Sequence, residues 1–72
     1  MNNKIKISII IPVFNEEKSI NQLYKELSVV LLEFTESEII FIDDGSTDKS
    51  YEKMRAIAKE DKRLEIIHFF KN

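Results

Sequence analysis

The sequence predicts an α/β chain: a β-α-β-α-β unit that makes one half of a doubly wound parallel sheet, with the strands in spatial order 3-2-1. Three observations predict it. Three short runs, Ile5–Ile11, Glu38–Asp43 and Leu64–Phe70, are rich in β-branched and aromatic residues. The two stretches between them carry apolar residues at helical spacing. Strands alternating with helices read as crossovers between parallel strands, and such crossovers are nearly always right-handed.

Each element has its own local reason. Ile5, Ile7 and Ile9 alternate, and the run then becomes continuous to Ile11, as for a strand whose later half is buried on both faces. Pro12 is expected to end it, because proline lacks the N–H that a central strand uses. From 16 to 34, Ile20, Leu23, Tyr24, Leu27, Val30, Leu31 and Phe34 form one helical face. Asn15 is a candidate N-cap, and Glu16 and Glu17 suit the positive end of the helix dipole. Ile39–Ile42 is a continuous apolar run bounded by turn residues, as in a buried parallel strand. Asp44-Gly45-Ser46-Thr47 is the turn after it. Ser46 or Thr47 is expected to cap a second helix that runs to about Glu60 and buries Tyr51, Met54, Ile57 and Ala58. Asp61, Lys62 and Arg63 read as a solvated break. Glu65 and His68 interrupt the third strand, which should therefore be less buried than the second. His68, the only histidine, reads as a structural residue.

Composition excludes several classes. At 72 residues the chain holds one small domain, and a domain of about 60 residues buries only ~60% of its unfolded surface. With no cysteine there is neither a disulfide nor a thiolate zinc site, which fits a reducing compartment. The 11 basic and 13 acidic residues are scattered, so no basic stripe exists to track nucleic-acid phosphates. Met1–Phe14 has the lysines and apolar run of a signal peptide, but Ser8 and Pro12 interrupt it and no small-residue cleavage site follows. No segment approaches the ~20 apolar residues that span a bilayer.

Ligands of open α/β sheets bind at the carboxyl ends of the strands. Two clusters fall there: Pro12-Val13-Phe14-Asn15-Glu16 after the first strand and Asp43-Asp44-Gly45-Ser46 after the second. Their chemistry suits a nucleoside. Asp44 can accept hydrogen bonds from a base N–H or from ribose hydroxyls, Glu16 is a second acceptor, and Phe14 offers a ring face. Gly45 permits a left-handed turn and a close backbone approach. Each residue also has a purely structural reading, since Asp-Gly-Ser-Thr is an ordinary turn before a helix and Phe14 a hydrophobic plug. The joint placement of both clusters favours a site. A dinucleotide-binding unit would need a glycine-rich turn after the first strand, and a P-loop likewise. This turn has no glycine, and Glu16 and Glu17 would repel a pyrophosphate.

Ser8-Ile9-Ile10-Ile11-Pro12-Val13-Phe14-Asn15-Glu16-Glu17, followed by Ile42-Asp43-Asp44-Gly45-Ser46-Thr47-Asp48, resembles the opening of glycosyltransferase family 2, in particular its dolichol-phosphate mannosyltransferase and bactoprenol glucosyltransferase branch. Phe14 stands where that family usually has tyrosine. The resemblance implies a Rossmann-like GT-A fold that binds a nucleotide-diphosphate sugar, with Pro12, Phe14, Glu16 and Asp44 lining the nucleoside pocket. Asn15, Asp43, Gly45 and Ser46 would support the loops. It implies magnesium or manganese for the full-length enzyme, held by an Asp-x-Asp motif beyond the third strand, together with the catalytic base and acceptor site. No Asp-x-Asp occurs in this chain. Residues 1–72 are therefore expected to be the N-terminal nucleotide-binding portion of a truncated transferase domain, inactive alone. The whole enzyme would be cytoplasmic, or peripheral at the inner face of the membrane. The bare edge of the first strand is expected to drive homodimerisation or aggregation. The alternative is a small non-catalytic nucleotide-binding or interaction module.

Overall fold

The structure, a computed structural model, describes residues 6–70. Five elements follow in chain order: β1 (Lys6–Val13), α1 (Ile20–Leu31), β2 (Glu36–Asp44), α2 (Ser50–Glu60) and β3 (Leu64–Phe69). The strands are parallel and lie in the order β1-β2-β3, which is the expected 3-2-1 read from the other edge. Ile5, the expected start of the first strand, lies outside the described residues.

Side-chain alternation divides the sheet into two unlike faces. Val13 of β1, Ile39, Phe41 and Asp43 of β2, and Leu64 of β3 are buried on one face. Ile20 and Leu31 of α1 and Met54 of α2 pack into the same core. Each of the apolar side chains among these contributes about 1.5–3 kcal/mol by leaving water. Both helices cover this one face because successive right-handed crossovers running in the same direction across a sheet land on the same side. The other face is open: Ile10 is 59% exposed and Phe69 52%. β3 is less buried than β2, as its Glu65 and His68 predict. Among the described residues no helix is long and apolar enough to cross a membrane.

Five local expectations are corrected. Pro12 does not end β1, which runs on to Val13 with Pro12 paired to Ile42. Among the described residues β1 has a neighbour on one side only, and an edge strand tolerates proline where the missing N–H faces away from the sheet. Asn15 does not cap α1, whose first turn begins at Ile20 after Ser19. Ser46 and Thr47 do not cap α2, which starts at Ser50 with Lys49 in the cap position. Val30, expected on the buried face of the first helix, is exposed, while Ile20 and Leu31 of α1 are buried.

The fifth correction concerns Asp61-Lys62-Arg63, which is a hydrogen-bonded knot and not a solvated break. The Asp61 carboxylate accepts from the Arg63 guanidinium at 2.6 Å and from the Arg63 backbone N–H at 3.0 Å. It also accepts from the Tyr24 hydroxyl of α1, 37 positions away in sequence. The Arg63 carbonyl in turn takes the Ile39 N–H at 2.8 Å, so the knot holds α1, β2 and the start of β3 together.

Candidate functional site

Because β1 and β2 are parallel neighbours in register, Val13 lies beside Asp43 and both chains leave the sheet at the same end. The two following loops meet there and are stitched together. The Asn15 side-chain oxygen accepts from the backbone N–H of Thr47 at 2.8 Å and of Asp48 at 3.3 Å. In return the Asn15 N–H donates to the Ser46 hydroxyl at 3.0 Å. Asn15 adopts φ 50°, a left-handed conformation that asparagine tolerates better than most residues. It is thus a bridge between loops.

The stitching continues toward the helices. The Glu16 N–H donates to the buried Ser50 hydroxyl at 2.8 Å, and the Glu17 N–H to the Asp48 carboxylate at 3.2 Å. Asp48 also accepts from the Ser50 N–H at 2.9 Å, and Lys53 donates to the Glu17 carbonyl at 2.7 Å. Of these residues the sequence reading gives Glu17 a place at the helix dipole and Asp48 the end of the second motif, and does not single out Ser50 or Lys53. Only Asp48 carries a local signal for the stitching, since an aspartate two residues before a helix start forms an Asx turn.

Alternation on β2 gives the two adjacent aspartates opposite fates. Asp43 faces the helices and is fully buried. One of its oxygens accepts from the Ser46 N–H at 3.0 Å, and the other lies 2.7 Å from His68 Nδ1. Burial opposes ionisation of Asp43, but the hydrogen bonds from Ser46 and His68 outweigh it and hold the carboxyl below its ordinary value. Asp44 ends β2 on the other side and is exposed. Gly45 follows at φ 75° and is buried, a position where a Cβ would meet both strain and crowding.

The candidate residues therefore sort cleanly. Pro12, Phe14, Glu16 and Asp44 are exposed along the rim of the two loops. Asp43 and Gly45 lie beneath them, while Asn15 and Ser46 tie one loop to the other. With many loop N–H groups occupied in stitching, the rim presents side chains: two carboxylates that accept hydrogen bonds and one aromatic ring. Among the described residues no group of three or more His, Asp or Glu is placed to hold a metal ion.

Residues 8–72 match the sequence profile of Glycosyl transferase family 2. The chain belongs to glycosyltransferase family 2. The match takes in both loops, β2, β3 and β1 from Ser8 onward in this family 2 chain. Among its relatives, an uncharacterized glycosyltransferase of Bacillus subtilis is 40% identical across 100% of this chain and 23% of its own length. The undecaprenyl-phosphate 4-deoxy-4-formamido-L-arabinose transferase of Pseudomonas aeruginosa is 41% identical over 76% of this chain and 16% of its own length. The prophage bactoprenol glucosyl transferase homolog of Escherichia coli is 39% identical over 94% and 22%. The family 2 chain thus spans less than a quarter of the relatives it matches.

Proposed function

We propose that the two-loop rim recognises the nucleoside of a nucleotide-diphosphate sugar, as the N-terminal portion of an enzyme that transfers the sugar to a lipid phosphate or a glycan acceptor. The observation that carries this reading is the sorting at the strand ends: two exposed carboxylates and an exposed ring stand on a loop pair hydrogen-bonded together through Asn15, Asp43 and Ser46. Asp44 would accept from a base N–H, Glu16 from ribose hydroxyls, and Phe14 would cover the base face, with Pro12 shaping the floor. Family membership and the acceptor lipids in two relatives' names support the transferase reading. Nucleotide binding is assigned to this chain and sugar transfer to the longer enzyme, working in the cytoplasm or at the inner membrane face.

A divalent cation, magnesium or manganese, would neutralise the diphosphate in that enzyme. Asp43 and Asp44 do not fit as its ligands. They face opposite sides of β2, and both oxygens of Asp43 are already engaged. The test is titration of the isotopically labelled chain with a panel of nucleoside diphosphates. Saturable amide shifts confined to the two loops are expected, and no response to any of them would reject the reading.

The same chain is expected to self-associate. The outer edge of β1 has no strand beside it among the described residues, and Ile10 stands exposed next to it. Natural edges carry charges, prolines or bulges along their length. Here Lys6 and Pro12 guard only the ends. Twofold pairing of β1 with β1 of a second copy would satisfy both edges at once. Sedimentation velocity over a range of concentrations should show a dimer or larger species. A monomer at high concentration, with β1 amides exchanging freely, would contradict this.

A further inference from the structure

One buried carboxylate connects the loop pair to the third strand. In the β2–β3 register Asp43 lies directly beside His68. Asp43 is fully buried, and its two oxygens are divided between the Ser46 N–H at 3.0 Å and His68 Nδ1 at 2.7 Å. An ionised carboxylate only accepts, so Nδ1 carries the hydrogen in this contact. The imidazole is itself clamped. The Tyr51 ring of α2 stacks on it with centroids 4.2 Å apart, and Phe70 meets it edge-on at 4.4 Å. Ser46 then accepts the Asn15 N–H, which ties in the other loop. The helix-facing positions before His68 on β3 are Leu64 and Ile66, both apolar. An apolar side chain at 68 would leave one oxygen of a buried carboxylate without a partner, an arrangement that costs more than an ordinary lost hydrogen bond.

We propose that His68 is a positioning residue for the nucleoside rim: by holding Asp43 it fixes the Ser46 N–H and, through Ser46, Asn15 and the turn that presents Asp44. The assignment rests on the nucleoside reading given above, but its structural half can be measured without any ligand.

The test compares His68→Leu with His68→Asn in the intact chain. Asparagine places an amide N–H near the position of Nδ1 and keeps the donor, whereas leucine removes it. Two quantities are read: amide hydrogen exchange residue by residue, and affinity for whichever nucleoside diphosphate the unmodified chain binds. In His68→Leu, exchange at Ser46 and Asn15 should quicken by about tenfold while Ile39 and Phe41 keep their protection, and affinity should fall roughly tenfold. His68→Asn should restore both. Unchanged exchange at Ser46 in His68→Leu, or a uniform loss of protection through β2, would overturn the proposal. If the leucine variant does not fold, His68→Asn decides alone: retained protection and affinity support the assignment, and their loss overturns it. If the unmodified chain binds no nucleoside diphosphate, the nucleoside reading fails, and Ser46 exchange still decides whether His68 sets the loop.

Discussion

Replacing Asp44 by asparagine is expected to lower nucleoside diphosphate affinity at least about tenfold while leaving the urea midpoint unchanged. The two halves of this result come from one geometric fact. Asp44 is the last residue of β2 and points away from the helix-covered face, so its carboxylate stands in water at the loop rim. Removing an exposed charge of this kind changes stability by no more than about 0.5 kcal/mol. A hydrogen bond to a charged acceptor is worth about 1.5–3 kcal/mol, hence the tenfold effect on binding. Asparagine keeps the shape and one acceptor oxygen, so the loss reports charge and not bulk. Calorimetric titration measures the first quantity and denaturant unfolding the second. Equal affinity for the two forms would remove Asp44 from the site. A large drop in midpoint would mean that it acts through the fold.

The second large effect lies at the opposite end of the sheet and concerns stability alone. Asp61→Asn should destabilise the chain by about 2 kcal/mol at neutral pH, taking the low end of the charge-assisted range because the Arg63 side chain is 36% exposed. In a domain whose total stability is on the order of 5 kcal/mol, that is a large share. The effect should depend on pH in a defined direction. Hydrogen bonds from Arg63, opposed by burial and aided by Tyr24, hold the Asp61 carboxyl well below the usual carboxylate range. A group whose folded pKa is depressed contributes stability that is present above its unfolded pKa and lost as pH falls toward the folded value. The difference between the unmodified chain and Asp61→Asn should therefore be constant near neutrality and shrink below about pH 4. Asp43 will leave part of the acid sensitivity in the variant, because its carboxyl is also depressed. A difference that stays constant into strong acid would show that the Asp61 charge contributes nothing.

The strand order was legible because each strand is a short apolar run and each helix a periodic one, with turn residues between. The rim was legible for a related reason: residues at the carboxyl ends of adjacent parallel strands must converge whatever the loops do in detail. Asn15 shows where local reading stops. An asparagine before an apolar helical pattern reads as a cap, yet its partners are Thr47 and Asp48, 32 and 33 positions away. Asp61 shows the same limit, since three adjacent charges read as solvent-facing until Tyr24 arrives from α1. Pro12 departs from expectation because the rule that proline ends a strand holds for central strands, and β1 is an edge among the described residues. In each case a long-range contact or the strand's place in the sheet overrode the local signal. Alternation along β2, by contrast, separates Asp43 from Asp44 in the sequence itself, and the structure puts one under the helices and the other at the rim.

The central claim is that the loops after β1 and β2 form a nucleoside-binding rim, and the most direct test is an amide chemical-shift map of the chain titrated with nucleoside diphosphates. The account predicts saturable shifts at Phe14, Asn15, Glu16, Asp44, Gly45 and Ser46 with at least one of the bases. Shifts confined to the amino end of the sheet, around Leu32 and Glu36, or no saturable shift with any base, would contradict it.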